Sequence, residues 1–154
     1  MTIAAVERLK SQVGQEVHVS DWIDVTQARV NAFADATGDH QWIHVDPARA
    51  AKESPYGGTI AHGYLTLSLY PWLRGLVDAN SPFLPGVRNI INYGLNKTRF
   101  PSAVKVGARI RLHAKLLAVE DVPGGAQITE QVTIEIDGEA KPGCVAEAIL
   151  RVGF

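Results

Sequence analysis

From about residue 90 onwards the hydrophobic period of this sequence is two, and it stays two almost to the end. Ile91, Tyr93 and Leu95 alternate with Asn92, Gly94 and Asn96. Ile110, Leu112, Ala114 and Leu116 alternate with Arg109, Arg111, His113 and Lys115. Ile128, Val132, Ile134 and Ile136 form a third such stretch, and Ala146, Ala148, Leu150 and Val152 a fourth. Each has one face for a core and one mostly polar face, the pattern of a half-buried strand. Pro123-Gly124-Gly125 and Asp137-Gly138 are the turns between them. Glu16 to Val25 is also strand-like, with valine and isoleucine interleaved with polar residues. Tyr64 to Trp72 is instead a continuous apolar run, followed by Leu73. Its length and its apolar residues on nearly all sides predict one long helix buried within the domain. The fold class is therefore α+β: an antiparallel five-stranded sheet wrapped around a long central helix.

The remaining helices are short and marked by their caps. Ala4 to Val13 places Val6, Leu9 and Val13 on one face, and Gly14 ends it. Thr26 caps a helix whose Val30, Phe33, Ala34 and Thr37 share a face, and Gly38 stops that helix. Asp46-Pro47 starts another, running to Glu53, with a capping carboxylate ahead of a proline at the first helical position. Pro71 kinks the central helix or tightens its last turn. Without internal repeat or linker, residues 1–154 are expected to form one domain.

Composition excludes several classes. Apolar residues at 46% and charged residues at 20% are globular values. A formal charge of −1 without any basic run gives no footprint for nucleic acid. The single cysteine, Cys144, cannot form an internal disulfide, and its small apolar neighbours suit a packed thiol better than a nucleophile. No segment reads as a signal peptide or a membrane span, so a cytoplasmic protein without membrane insertion is expected. There is no G-x-S-x-G elbow, no G-x-G-x-x-G and no Walker sequence. His18, His40, His44, His62 and His113 lack metal-site spacing, so no metal is expected.

What remains is Thr37 to Gly63. Asp39 follows a helix end and stands five residues before His44. A carboxylate and an imidazole on an irregular segment can aim at one point and hold a water there, with histidine exchanging the proton. The alternative is a turn aspartate and a satisfied near-core histidine. His62-Gly63 opens the apolar helix, and a glycine there leaves an unshielded N–H for a carbonyl oxygen that becomes negative. An ordinary, closely packed helix start is the alternative. His62 itself reads equally as a packing residue or as a donor behind the reacting groups. Lys97, Arg99, Lys105, Arg109 and Arg111 concentrate positive charge near the second and third strands. They read either as contacts for ligand phosphates or as ordinary surface cations.

These residues resemble the MaoC-like dehydratases and (R)-specific enoyl-CoA hydratases, a family with the hot-dog fold. Its motif, an aromatic residue followed by Gly-Asp-x-Asn-Pro-x-His, is matched from Phe33 through Gly38-Asp39-His40-Gln41-Trp42-Ile43-His44. Its later Ala/Val-His-Gly is matched by Ala61-His62-Gly63, and its Phe-Pro-x-x-Val-x-x-Gly by Phe100 to Gly107. The likeness runs from Val17 to Val152. It implies that Asp39 and His44 are the catalytic pair and that the Gly63 N–H polarises a thioester carbonyl. The implied reaction is reversible syn addition of water to a trans-2-enoyl-CoA, giving an (R)-3-hydroxyacyl-CoA. Coenzyme A is then part of the substrate, and neither metal nor redox cofactor is needed. Lys97, Arg99 or Arg109 would meet the coenzyme A phosphates, and Asn92, Tyr93 and Asn96 would border the site. The unit is expected to pair edge to edge as a homodimer. Two departures bear on the acyl pocket. Gln41-Trp42 replaces Asn-Pro, as in the nodulation-protein-N-like branch, and Pro71 stands where some members carry a serine. The rivals are an acyl-CoA thioesterase of the same fold and a non-catalytic acyl-thioester-binding protein.

Overall fold

A computed structural model describes residues 2–154. Its helices are α1 (Thr2–Lys10), α2 (Gln27–Thr37), α3 (Trp42–Val45), α4 (Pro47–Glu53), α5 (Gly63–Ser68) and α6 (Tyr70–Leu73). Its strands are β1 (Glu16–Val19), β2 (Ile23–Asp24), β3 (Asn89–Arg99), β4 (Arg109–Val122), β5 (Gly125–Ile136) and β6 (Cys144–Gly153). The sheet is antiparallel in the order β1-β4-β5-β6-β3, with β2 also on β4. It curls around α5 and α6, which is the hot-dog arrangement.

The inward faces of the central strands are those set by the period of two. Ile110, Leu112, Ala114 and Leu116 of β4 are fully buried, as are Ile128 and Ile134 of β5 and Leu150 of β6. They pack with Leu65 of α5, Leu73 of α6 and Leu69 between the two in one core. Burying each such aliphatic side chain contributes about 1.5–3 kcal/mol.

Caps behave as written. The Thr26 hydroxyl accepts from the Arg29 N–H, and the Asp46 carboxylate accepts from the Arg49 N–H with Pro47 beside it. Gly38 takes φ +81°, and its N–H bonds to the Ala34 carbonyl. That left-handed turn throws the chain away from α2 and delivers Asp39 to the site.

Four expectations need correcting. First, α1 ends at Lys10, because Gln12 and Val13 make i→i+3 bonds to Leu9 and Lys10. The tighter winding turns Val13 out of the apolar stripe and exposes it. Second, the early strand is broken between β1 and β2. Ser20 spans the gap, its N–H bonding to the Leu112 carbonyl and its hydroxyl accepting the Leu112 N–H. Third, the central helix is neither unbroken nor buried all round. It is interrupted at Leu69, two residues before Pro71, whose missing N–H removes a helical bond. Tyr64, Ser68 and Trp72, four residues apart, form an outward stripe, with Tyr64 71% exposed. Fourth, Ile91, Tyr93 and Leu95 do not face the core. β3 is an edge strand with register shifts between Asn92 and Gly94 and between Asn96 and Arg99. Its Ile90, Gly94 and Thr98 are the partly buried positions, with Ile90 packed on the core, and Tyr93 is 60% exposed.

Glu130 breaks the apolar pattern of β5 from within. It points inward at 0% exposure, where Arg74 at the end of α6 grips it with Nη2 at 2.7 Å and Nε at 3.0 Å. The Tyr70 hydroxyl donates to it at 2.8 Å. The fully bonded carboxylate ties the helix to the sheet, and burial with Glu130 alongside drives the Tyr70 phenol strongly upward in pKa.

Candidate active site

Three segments converge at one end of the helix α5. The turn after α2 brings Asp39, the single turn α3 brings His44, and the start of α5 brings His62 and Gly63. Gln41 and Trp42 stand where the motif has Asn-Pro. Trp42 takes the first helical position of α3, where proline is favoured, and its indole lies under the Arg49 guanidinium at 4.4 Å. The Gln41 N–H bonds to Asp39 Oδ1 at 3.3 Å, so the carboxylate also fixes its own turn.

His44 is buried, and its Nδ1 lies 2.7 Å from the Ile60 carbonyl. A carbonyl only accepts, so Nδ1 carries the proton and the neutral ring leaves Nε2 as a bare base. His62 is bonded the other way round, with Nε2 donating to the Asp39 main-chain carbonyl at 2.9 Å. The two imidazoles stack with centroids 3.8 Å apart and planes 24° from parallel. Asp39, His44 and His62 each offer one side-chain atom, all within 4.8 Å of one another. A water hydrogen-bonded at about 2.8 Å to each of two groups spans that distance. Imidazoles sharing a metal aim their in-plane lone pairs at one spot about 2.1 Å away, whereas these ring planes lie nearly parallel and apart. With His62 Nε2 engaged by the Asp39 carbonyl, Asp39 and His44 are the pair that suits a shared water.

Burial is the main cause holding the His44 pKa below the ordinary value of 6.5, and nearby His62 adds to it. The Ile60 carbonyl and Asp39 pull the other way. Near neutral pH the ring is thus a base with its lone pair free.

His44 and Gly63 line the same cleft of about 390 Å³, with Tyr56, Thr66 and Phe100. The His62 carbonyl accepts from the Leu65 and Thr66 amides at 3.1 and 3.2 Å. A trans peptide sets its N–H opposite its carbonyl, so the Gly63 N–H points out of the helix start. Since α5 has only six residues, the amide's own direction matters more than a long dipole. Phe100 closes over Gly63, its ring 3.0 Å from where a Cβ would stand.

The other predicted residues divide. Arg99 ends β3 one residue before Phe100 of the cleft wall, is exposed, and donates through Nη1 to the Thr98 carbonyl. Lys97 is on the free edge with its side chain 82% exposed, 3.4 Å from Glu147. Arg109 is not brought to the cleft. It pairs across β2 and β4, donates to Asp137 and lies near the Trp22 ring. Asn92 and Tyr93 line a different groove of about 370 Å³ with Leu67 and Pro71, and Asn96 borders neither. The remaining histidines have structural partners: His18 with the Leu73 carbonyl, His40 with Asp35, His113 with Glu16 and Glu135. Cys144 is buried, and desolvation pushes its thiol up to about 11. Tyr56 and Thr66 had no motif to mark them, and only their place on the cleft wall finds them.

Residues 8–139 match the family model described as a MaoC like domain. The chain is 52% identical over 151 residues to 3-hydroxyacyl-thioester dehydratase Z of Mycobacterium tuberculosis, covering 97% of each chain. It is 45% identical over 150 residues to nodulation protein N of Rhizobium leguminosarum bv. viciae, covering 94% of this chain and 88% of that one. Among solved structures it resembles the (R)-hydratase from A. caviae involved in PHA biosynthesis. There the TM-score is 0.67 at 25% identity, with 90% of this chain and 94% of that chain covered.

Proposed function

This chain belongs to the MaoC-like dehydratase family, and on that premise we propose that it reversibly adds water to a trans-2-enoyl thioester of coenzyme A. It is a hydro-lyase. The observation that carries the reading is the His44 ring, its Nε2 left bare by the Nδ1–H bond to Ile60, with a ring nitrogen within 4.8 Å of the Asp39 carboxylate and Gly63 lining the same cleft.

Asp39 and His44 hold one water over C3 of the substrate. As the water oxygen bonds to C3, His44 Nε2 takes its proton, and the C2=C3 electrons move towards the thioester oxygen. The Gly63 N–H stabilises the enolate that forms, in a cleft that partly excludes solvent. C2 then takes a proton back from the same pair on the same face. The addition is therefore syn, and the likeness to the (R)-hydratase supports the (R)-3-hydroxyacyl thioester as the product. Run backwards, the same steps eliminate water. No bond change needs a metal or a redox cofactor, because coenzyme A arrives as part of the substrate. Of the three candidate cations, Arg99 is best placed for a coenzyme A phosphate, and Lys97 is free enough to swing towards one.

The protein acts as a homodimer. β3 leaves a whole edge unpaired, with Ile91, Tyr93 and Leu95 exposed on it. A groove joins that edge to Leu67 and Pro71 of the central helix. A second copy joined β3 to β3 would continue the sheet and cover this apolar surface. A cytoplasmic setting suits a chain whose lone cysteine is a buried thiol. Among the described residues no helix is long and apolar enough to cross a membrane.

The test is to follow crotonyl-CoA by the loss of enoyl absorbance and, in parallel, by the release of free thiol. Absorbance loss without thiol supports hydration. Thiol release without hydration would make the protein a thioesterase, and neither change would leave a binding protein.

A further inference from the structure

His62 is bonded in a way that a packing residue does not need. It is 3% exposed, and its Nδ1 is buried without a partner among the described residues. A buried nitrogen in that state costs stability, and a phenylalanine of similar shape would avoid the cost. The ring does not cap its own helix. It reaches instead across the site to the Asp39 carbonyl, 2.9 Å away. Its face meets the His44 ring at 3.8 Å, and Phe33 backs it at 4.9 Å. Its main-chain carbonyl accepts from the Leu65 and Thr66 amides and, at 3.4 Å, from the Thr66 hydroxyl.

We infer that His62 is the positioning residue of this site, one side chain and one peptide that together register all three reacting groups. Nε2 fixes the turn that carries the Asp39 carboxylate. The ring face sets the plane of the His44 imidazole, and hence the direction of its Nε2 lone pair. The anchored carbonyl sets the direction of the Gly63 N–H, which shares its peptide plane. His62 touches none of the reacting atoms. It acts by holding the groups that do, and small displacements of such groups cost rate heavily. The inference rests on the hydration reading, since it explains how the groups that reading uses are held together.

The experiment uses His62→Gln, which keeps a donor at the reach of Nε2 but loses the ring, and His62→Phe, which keeps a ring but loses the donor. The first measurement needs no substrate: the His44 ring nitrogens are followed by NMR against pH in the free protein. The charged or titratable groups facing His44 are Asp39 from the turn after α2, His62 from the start of α5 and Tyr56 from the cleft wall. With His62 gone, the His44 midpoint is expected to move up in both variants, and the clean Nδ1–H tautomer to become mixed. In the second measurement, kcat for crotonyl-CoA should fall by about tenfold to a hundredfold with KM little changed. The acid limb of the rate profile should move to higher pH with the NMR midpoint.

An unchanged His44 midpoint and tautomer in both folded variants would overturn the inference. So would activity that falls only in proportion to lost thermal stability, with the acid limb in place. If the wild-type protein hydrates no enoyl thioester, the hydration reading fails by itself, and the substrate-free NMR measurement still decides whether His62 positions His44.

Discussion

The chemistry available at this site is decided by which nitrogen of each histidine is left bare. His44 gives its Nδ1–H to the Ile60 carbonyl and keeps Nε2 as a base, while His62 gives Nε2–H to the Asp39 carbonyl. His40, inside the same motif, turns out to solvent and pairs with Asp35. The depressed pKa of His44 makes a signed prediction. As a base it must be neutral, so activity should fall only below the ordinary histidine value of 6.5. The unfolded chain takes that proton at higher pH than the folded one does, so this group's contribution to stability is present above pH 6.5 and fades below it. A pH series of kcat/KM beside urea midpoints checks both, and an acid limb well above pH 6.5 would contradict the assignment. The spacing of Asp39 and His44 was legible in the sequence, but on spacing alone it stayed open between a catalytic pair and a turn with a core histidine. The tautomers were not legible, because they depend on carbonyls brought in from Ile60 and from across the site.

Among elements, the caps were the most readable features, because each rests on one residue and its immediate neighbours. Thr26, Gly38 and Asp46-Pro47 all act where the sequence puts them. The single turn α3 was not foreseen, being held by its neighbours rather than by any periodic pattern. The orientation of β3 was misread for a related reason: its register shifts are set by pairing with β6, and no local signal reports them. At the start of α5 a glycine is required by contact as well as by chemistry. Gly63→Ala would press its methyl group on the Phe100 ring, which must give way by a few tenths of an ångström. The variant should fold, lose about tenfold or more in kcat/KM and show a displaced Phe100 in its crystal structure. Unaltered kinetics would mean that the Gly63 amide is not where charge develops.

The molecule as a whole is built so that a short, broken helix can present its first amide at the mouth of a cleft. The tie between Arg74, Tyr70 and Glu130 holds the far end of that helix to β5. The period of two puts Glu130 on the inward face with Ile128 and Val132, but its partners lie 56 and 60 residues away in the chain and nothing local announces them. Glu130→Gln leaves the Arg74 charge buried and should cost about 3–5 kcal/mol in urea unfolding. A loss under 1 kcal/mol would show the pair to be dispensable. The exposed edge makes a second prediction. Light scattering should find a dimer, and Tyr93→Lys, which puts a charge on that edge, should shift it to monomer. A wild-type monomer would contradict the pairing. All of this architecture serves one water held by two side chains. The most direct measurement is therefore a double-mutant cycle on crotonyl-CoA hydration with Asp39→Asn, His44→Ala and the pair combined, each variant first shown to fold. If both groups act on the same water, each single change costs about a hundredfold or more, and the double variant is scarcely slower than either. Near-normal turnover in either folded single variant would contradict the account.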